Sequence, residues 1–141
     1  MVNSRYLRGF TLIEVLMVVA LVAILASIAL PNYMEYLRKG NRADVQQMMY
    51  QEAARLERIY SRNGGYPNTD IFEIVQKSDY YTLRYVPLGK PDGALGTHRN
   101  LEFNLTATPK SGSTQASDVC GVLTLDEQSN ESSQGQNNDC W

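Results

Sequence analysis

Metal-binding side chains are scarce in this chain, whose 141 residues include two cysteines and one histidine. Cys120 and Cys140 lie near the C-terminal end, and His98 is distant from both in sequence. A zinc-type site needs about four clustered nitrogen or sulfur ligands, so neither a metal nor another cofactor is expected, and His98 reads as a solvated turn residue. Also missing are a Ser/His/Asp or Cys/His arrangement, a phosphate-cradling glycine loop and a carboxylate pair in a catalytic context. The chain is not expected to be an enzyme. Positive charge is missing from residues 111–141, which carry five acids (Asp118, Asp126, Glu127, Glu131, Asp139) and no Lys or Arg. Residues 38–110 carry eleven Lys and Arg against eight Asp and Glu, so the net charge of −2 hides an uneven distribution. The molecule as a whole does not advertise nucleic-acid binding, although its middle has room for a basic patch.

Charge of either sign is almost absent from Phe10 to Leu30. These 21 residues hold a single ionisable side chain, Glu14. As a helix the segment is about 31 Å long, enough to cross a hydrocarbon core. A secretory signal peptide is the bland alternative, with Arg5 and Arg8 as its basic region and Ser27-Ile28-Ala29 as a small-residue cleavage site. Two features oppose it. A carboxylate inside the apolar run costs about 2.5–3.5 kcal/mol on insertion, more than an expendable segment should carry. The run also continues into a helical pattern instead of stopping at a linker.

In that continuation Met34, Leu37, Val45, Met48, Ala53, Leu56 and Tyr60 recur at helical spacing, with Asn63-Gly64-Gly65 and then Pro67 as a stop. One helix of about fifty residues is expected, apolar all round at first and one-sided afterwards. Pro31 has no N–H to offer the carbonyl of Ser27, so a kink or local opening is expected there. Gly40 is a second weak point, costing about 1 kcal/mol relative to Ala.

A short basic leader ending in Gly9, followed by "FTLIEVLMVVALVAILASIALP", resembles the N-terminal segment of the type IV pilin family. The match rests on Gly9, Phe10, Thr11, Leu12, Ile13, Glu14 and Pro31. The resemblance implies that a prepilin peptidase cleaves between Gly9 and Phe10 and methylates the Phe10 amine. It also implies a division into a leader (1–9), a membrane and filament-core helix (10–30), and an amphipathic helix with a globular sheet domain (31–141). The protein would sit in the inner membrane as a single-pass subunit, its globular part periplasmic, and then move to an extracellular pilus. Glu14 and Pro31 carry the assembly role in this reading. Cleavage frees a cationic α-amine on Phe10, with an ordinary pKa of about 8. That amine can meet the Glu14 carboxylate of a neighbouring pilin and offset its desolvation.

Past Pro67 the pattern changes. Asp70–Lys77 ("DIFEIVQK") reads as a short helix with Asp70 and Glu73 in capping-box positions. Tyr80–Pro87 and Asn100–Pro109 alternate as strands, "LGKPDGALG" is turn material, "KSGSTQASD" is a flexible polar connection, and "VCGVLTLD" supplies a third strand. The expected fold is α+β: the long helix packed on an antiparallel meander of three or four strands. For an exported chain, Cys120 and Cys140 are most simply a disulfide, worth roughly 3 kcal/mol by loop entropy. It would tie back the polar stretch Ser129–Asp139 as a surface loop, as in pilins. The ending Asp139-Cys140-Trp141 is most similar to minor pilins of the PilE and ComP-like group.

The leading expectation is therefore a structural subunit of a type IV pilus, a minor pilin serving assembly and so twitching motility, adhesion or DNA uptake. One alternative is a type II secretion pseudopilin. Another is a ComP-like DNA-binding pilin, with Lys77, Arg84, Lys90, Arg99 and Lys110 beside Tyr80, Tyr81 and Tyr85 as the nucleic-acid surface. The bland counterpart of that surface is a solvated sheet face of mixed charge.

Overall fold

The computed structural model describes residues 9–69, 71–90, 95–135 and 139–141. The expected helix is present as α1, Leu12–Asn63. Its helical assignment runs unbroken through Pro31 and Gly40, so the opening expected at Pro31 does not occur. One missing N–H removes a single rung from a ladder that good helix formers maintain on either side. The helix ends where Gly64 takes φ 74° and its N–H bonds the Tyr60 carbonyl at 2.8 Å. Glycine enters this left-handed conformation without Cβ strain, which is why Asn63-Gly64 is a stop.

By compactness the chain divides into two units, Met1–Tyr36 and Leu37–Trp141. In the first, the large apolar side chains from Phe10 to Leu30 are all exposed. An 18-residue window of α1 has a mean hydropathy of 2.8 with none of it buried, long and apolar enough to cross a membrane.

The second unit holds the core. Its main sheet is a four-stranded antiparallel meander in the order β2 (Tyr81–Leu88), β4 (Glu102–Pro109), β5 (Leu123–Asp126), β6 (Glu131–Ser133). A separate two-stranded sheet pairs β1 (Tyr66–Pro67) with β3 (His98–Asn100). Register places Leu83 opposite Ala107 and Tyr85 opposite Leu105 on one face, and Leu105 opposite Leu125 continues it. That face joins Val45, Met49 and Leu56 of α1 in one buried cluster with Tyr81, Phe103 and Leu123. Phe103 meets Tyr66 edge to face with centroids 4.9 Å apart, and Phe72 lies 4.7 Å from Tyr85.

Three expectations are corrected. Residues 71–77 are not a helix; Asp70, the proposed cap, lies outside the described residues. Side chains of α1 capture this backbone without a helix. Glu52 Oε1 accepts the N–H groups of Val75 and Gln76 at 2.8 and 2.9 Å, and Arg55 donates to the Glu73 carbonyl at 2.7 Å. Tertiary hydrogen bonds here outweigh the local capping signal. Residues 110–118 are not a loose connection, since Thr114–Ser117 forms a 3-10 turn capped by Ser113. Finally, the polar stretch after Ser129 supplies the fourth strand, β6, and so is more than a surface loop.

Candidate functional site

The N-terminal unit begins with a helix cap. Thr11 precedes α1, and its Oγ1 accepts the Glu14 N–H at 3.3 Å. Its carbonyl accepts from the N–H groups of Glu14 and Val15. Thr11-Leu12-Ile13-Glu14 thus has capping-box spacing, with Glu14 at the third helical position, where the helix dipole favours a negative charge. The spacing was visible in the sequence, but the family motif included Thr11 without giving it a role. Phe10 and Glu14 line one recess of about 230 Å³ with Val15, Val18 and Val19. Phe10 is 84% exposed, and Gly9 and Phe10 are both outside the helix.

The C-terminal region is held by a buried polar cluster that sequence reasoning missed. Cys120 and Cys140 form the expected disulfide, with S–S 2.04 Å and Cα atoms 5.5 Å apart. Beside it, Arg42 of α1 grips Asp118 with two hydrogen bonds, of 3.1 and 2.7 Å, and donates to the Asp139 carbonyl at 2.9 Å. Asp118 also accepts from Gln115 Nε2 at 2.6 Å, Tyr81 Oη at 3.1 Å and the Cys120 N–H at 3.2 Å. Gln46 donates to the Cys140 carbonyl at 2.7 Å, and Arg38 donates to the Thr114 carbonyl and Ser117 hydroxyl. Gly135 sits so close that a Cβ there would overlap the Val119 carbonyl. The Trp141 indole N–H donates to the Ser132 carbonyl of β6 at 2.7 Å.

Burial alone would raise the Asp118 pKa. The Arg42 hydrogen bonds, the Cys120 N–H, the Arg42 charge and Gln115 outweigh it and hold the carboxyl below its ordinary range. Tyr81 is pushed up from the usual phenol value, mainly by burial and then by the charge of Asp118; Tyr85 is pushed up by burial.

The signal for this cluster was positional. The buried residues of α1 are Arg42, Val45, Met49, Glu52 and Leu56, spaced three and four apart. A reading limited to apolar residues skipped Arg42 and Glu52, and chose the half-buried Met48 over the buried Met49. Charged residues at core positions of a helical period announce buried partners.

The basic candidates come from several elements. Lys77 and Lys110 line a shallow recess of about 280 Å³ with Tyr81 and Thr82, where Lys110 Nζ donates to the Ser78 carbonyl at 2.6 Å. Arg84 lies on the outward face of β2, opposite Thr106, and Lys90 follows β2. Arg99 is half-buried in β3, part of the other sheet. Tyr81 and Tyr85 are 1% and 4% exposed and belong to the core, so of the three tyrosines only Tyr80 offers a ring to a base. Among the described residues no group of three or more His, Cys, Asp or Glu is placed to hold a metal.

Comparison with known proteins fits these features. The model described as "Type IV minor pilin ComP, DNA uptake sequence receptor" matches residues 31–124, and the "Prokaryotic N-terminal methylation motif" matches residues 5–30. "Prepilin peptidase-dependent protein D" of Escherichia coli (strain K12) is 38% identical over 63 residues, 45% of this chain and 43% of the relative. "Fimbrial protein EcpB" of Eikenella corrodens is 37% identical over 107 residues, 74% of this chain and 54% of the relative. The chain thus spans about half the length of these curated relatives. A solved type IV pilin from Shewanella oneidensis superposes with a TM-score of 0.54 at 33% identity, covering 74% of this chain and 97% of that one. A helix that is apolar at its start, an antiparallel sheet and a C-terminal disulfide together define a type IV pilin. Within that class the chain belongs to the ComP family of type IV minor pilins.

Proposed function

We propose that this chain is a minor subunit of a type IV pilus, anchored in the inner membrane through α1 and then transferred into the filament. The apolar surface from Phe10 to Leu30 carries the reading. It is uncovered in the single chain, and a surface of this kind requires lipid or other apolar helices around it. Prepilin peptidase cleaves between Gly9 and Phe10 and methylates the new amine. That amine pairs with Glu14 of an adjoining pilin and so sets register. Mass spectrometry of sheared pili tests the proposal. We expect the mature chain, starting at methylated Phe10, at low stoichiometry beside a major pilin. Its confinement to the membrane fraction of a piliated cell would count against it.

A second reading, DNA reception, is favoured by the description of the matched family as a DNA uptake sequence receptor. In this reading the Lys77–Lys110 recess grips phosphate, Arg84, Lys90 and Arg99 add charge, and Tyr80 supplies stacking. A mobility shift with the unit beginning near residue 35 should weaken steeply with salt. A shift that salt leaves unchanged, or none at all, would remove the reading.

A further inference from the structure

The helix cap bears on processing itself. Gly9 and Phe10 are exposed and outside α1, and the residue that separates them from the helix is Thr11, whose hydroxyl oxygen accepts the Glu14 N–H. Peptide-bond cleavage needs backbone that is not committed to a helical hydrogen-bond ladder. What keeps the ladder from extending toward the leader is therefore part of the substrate. From the cap geometry we infer that Thr11 is a positioning residue for leader cleavage: it fixes the start of α1 at Leu12 and keeps the Gly9–Phe10 bond in accessible, non-helical form. This rests on the proposed processing between Gly9 and Phe10.

The direction of the effect follows from the surrounding sequence. When a cap is lost, a helix start can retreat inward or advance outward. Retreat would strip N–H groups bare within an apolar segment, where no water satisfies them. Residues 12–26 contain no Ser, Thr, Asn or Asp to cap a later start, and the next such side chain downstream is Ser27. Upstream, by contrast, Asn3 and Ser4 are cap-forming residue types. Loss of the Thr11 cap thus drives the helix outward across Phe10 and Gly9, and one glycine resists that only weakly.

The test measures leader cleavage of the full-length protein in membranes containing the peptidase, followed over time by the mobility of the mature form. Oxidised Cys120–Cys140 serves as the control that the globular unit has folded. Thr11→Val and Thr11→Ala remove the cap acceptor and should slow cleavage about five-fold, the factor that corresponds to ~1 kcal/mol of lost capping. Thr11→Ser and Thr11→Asn keep an acceptor in different shapes and should be cleaved at close to the wild-type rate. Wild-type rates for Thr11→Val and Thr11→Ala would overturn the inference and leave the processing proposal standing. Slow cleavage of Thr11→Asn alongside normal cleavage of Thr11→Ser would also overturn it, since the peptidase would then be reading the hydroxyl directly. Failure of the wild-type chain to be cleaved would overturn both.

Discussion

The two units solve the problem of apolar surface in opposite ways. In the first, the large side chains that make the helix apolar are exposed from Phe10 to Leu30. In the second, α1 buries one stripe, and two of its five buried residues, Arg42 and Glu52, are charged. The exposed apolar run from Phe10 to Leu30 depends on its surroundings for cover, and its one charge, Glu14, is the group to which the proposed function gives an assembly role. The second is self-sufficient, and its charges matter for folding.

The sharpest way to break this contrast is to remove one charge from each region. Glu14→Ala should leave membrane insertion intact, because the span becomes more apolar. Leader cleavage should also persist. Incorporation should fall by about ten-fold or more, corresponding to ~1.4 kcal/mol or more of lost pairing. The ratio of sheared-pilus to membrane-pool protein measures this, and a ratio equal to wild type would mean that the carboxylate has no register role. Asp118→Ala should do the converse. Denaturant unfolding of the globular unit should show a loss of about 3–5 kcal/mol, because the buried Arg42 guanidinium loses its two hydrogen bonds to the Asp118 carboxylate.

Smaller effects sharpen the comparison within the second unit. Replacing both cysteines with serine should cost roughly 3 kcal/mol and loosen residues 129–139 before α1. Free-thiol labelling of the native wild-type protein at full stoichiometry would contradict the bond. Acid should weaken the unit through Asp118. Its folded pKa lies below the unfolded value of about 3.9. Its contribution is therefore intact above pH 4 and lost as pH falls through the folded value. Unfolding midpoints measured between pH 7 and pH 2 should drop most in that lower window, and Asp118→Ala should flatten the drop. The smallest effect belongs to Tyr50, whose hydroxyl donates to the exposed Glu131 carboxylate on β6. Tyr50→Phe should cost no more than about 1 kcal/mol.

Much of this molecule was legible in its sequence. Strands β2 and β4 showed in the alternation of Tyr81, Leu83 and Tyr85 and of Phe103, Leu105 and Ala107, because one face is buried and the other wet. The end of α1 showed in Asn63-Gly64 because a left-handed residue demands glycine. Other features depended on partners far along the chain. Nothing local in "DIFEIVQK" reveals that Glu52 and Arg55 will take its backbone groups, and nothing in "KSGSTQASD" marks Gln115 and Asp118 as buried. The basic candidates were chosen by proximity in sequence, whereas the strand pairing distributes them between two sheets and a recess.

The Arg42 grip also imposes a timetable on synthesis. Its two anchors, Asp118 and the Asp139 carbonyl, lie 76 and 97 residues further along the chain. At translation speeds of about 5–20 residues per second, this guanidinium exists for roughly 4–20 s before its counterparts have been made. The helix can form at once, but the groups that Arg38, Arg42 and Gln46 bond in the 3-10 turn, at Asp118 and at the C-terminal carbonyls are made late. Nascent chains arrested before Asp118 should consequently be cut by protease between Arg38 and Gln46, whereas released full-length chains should resist.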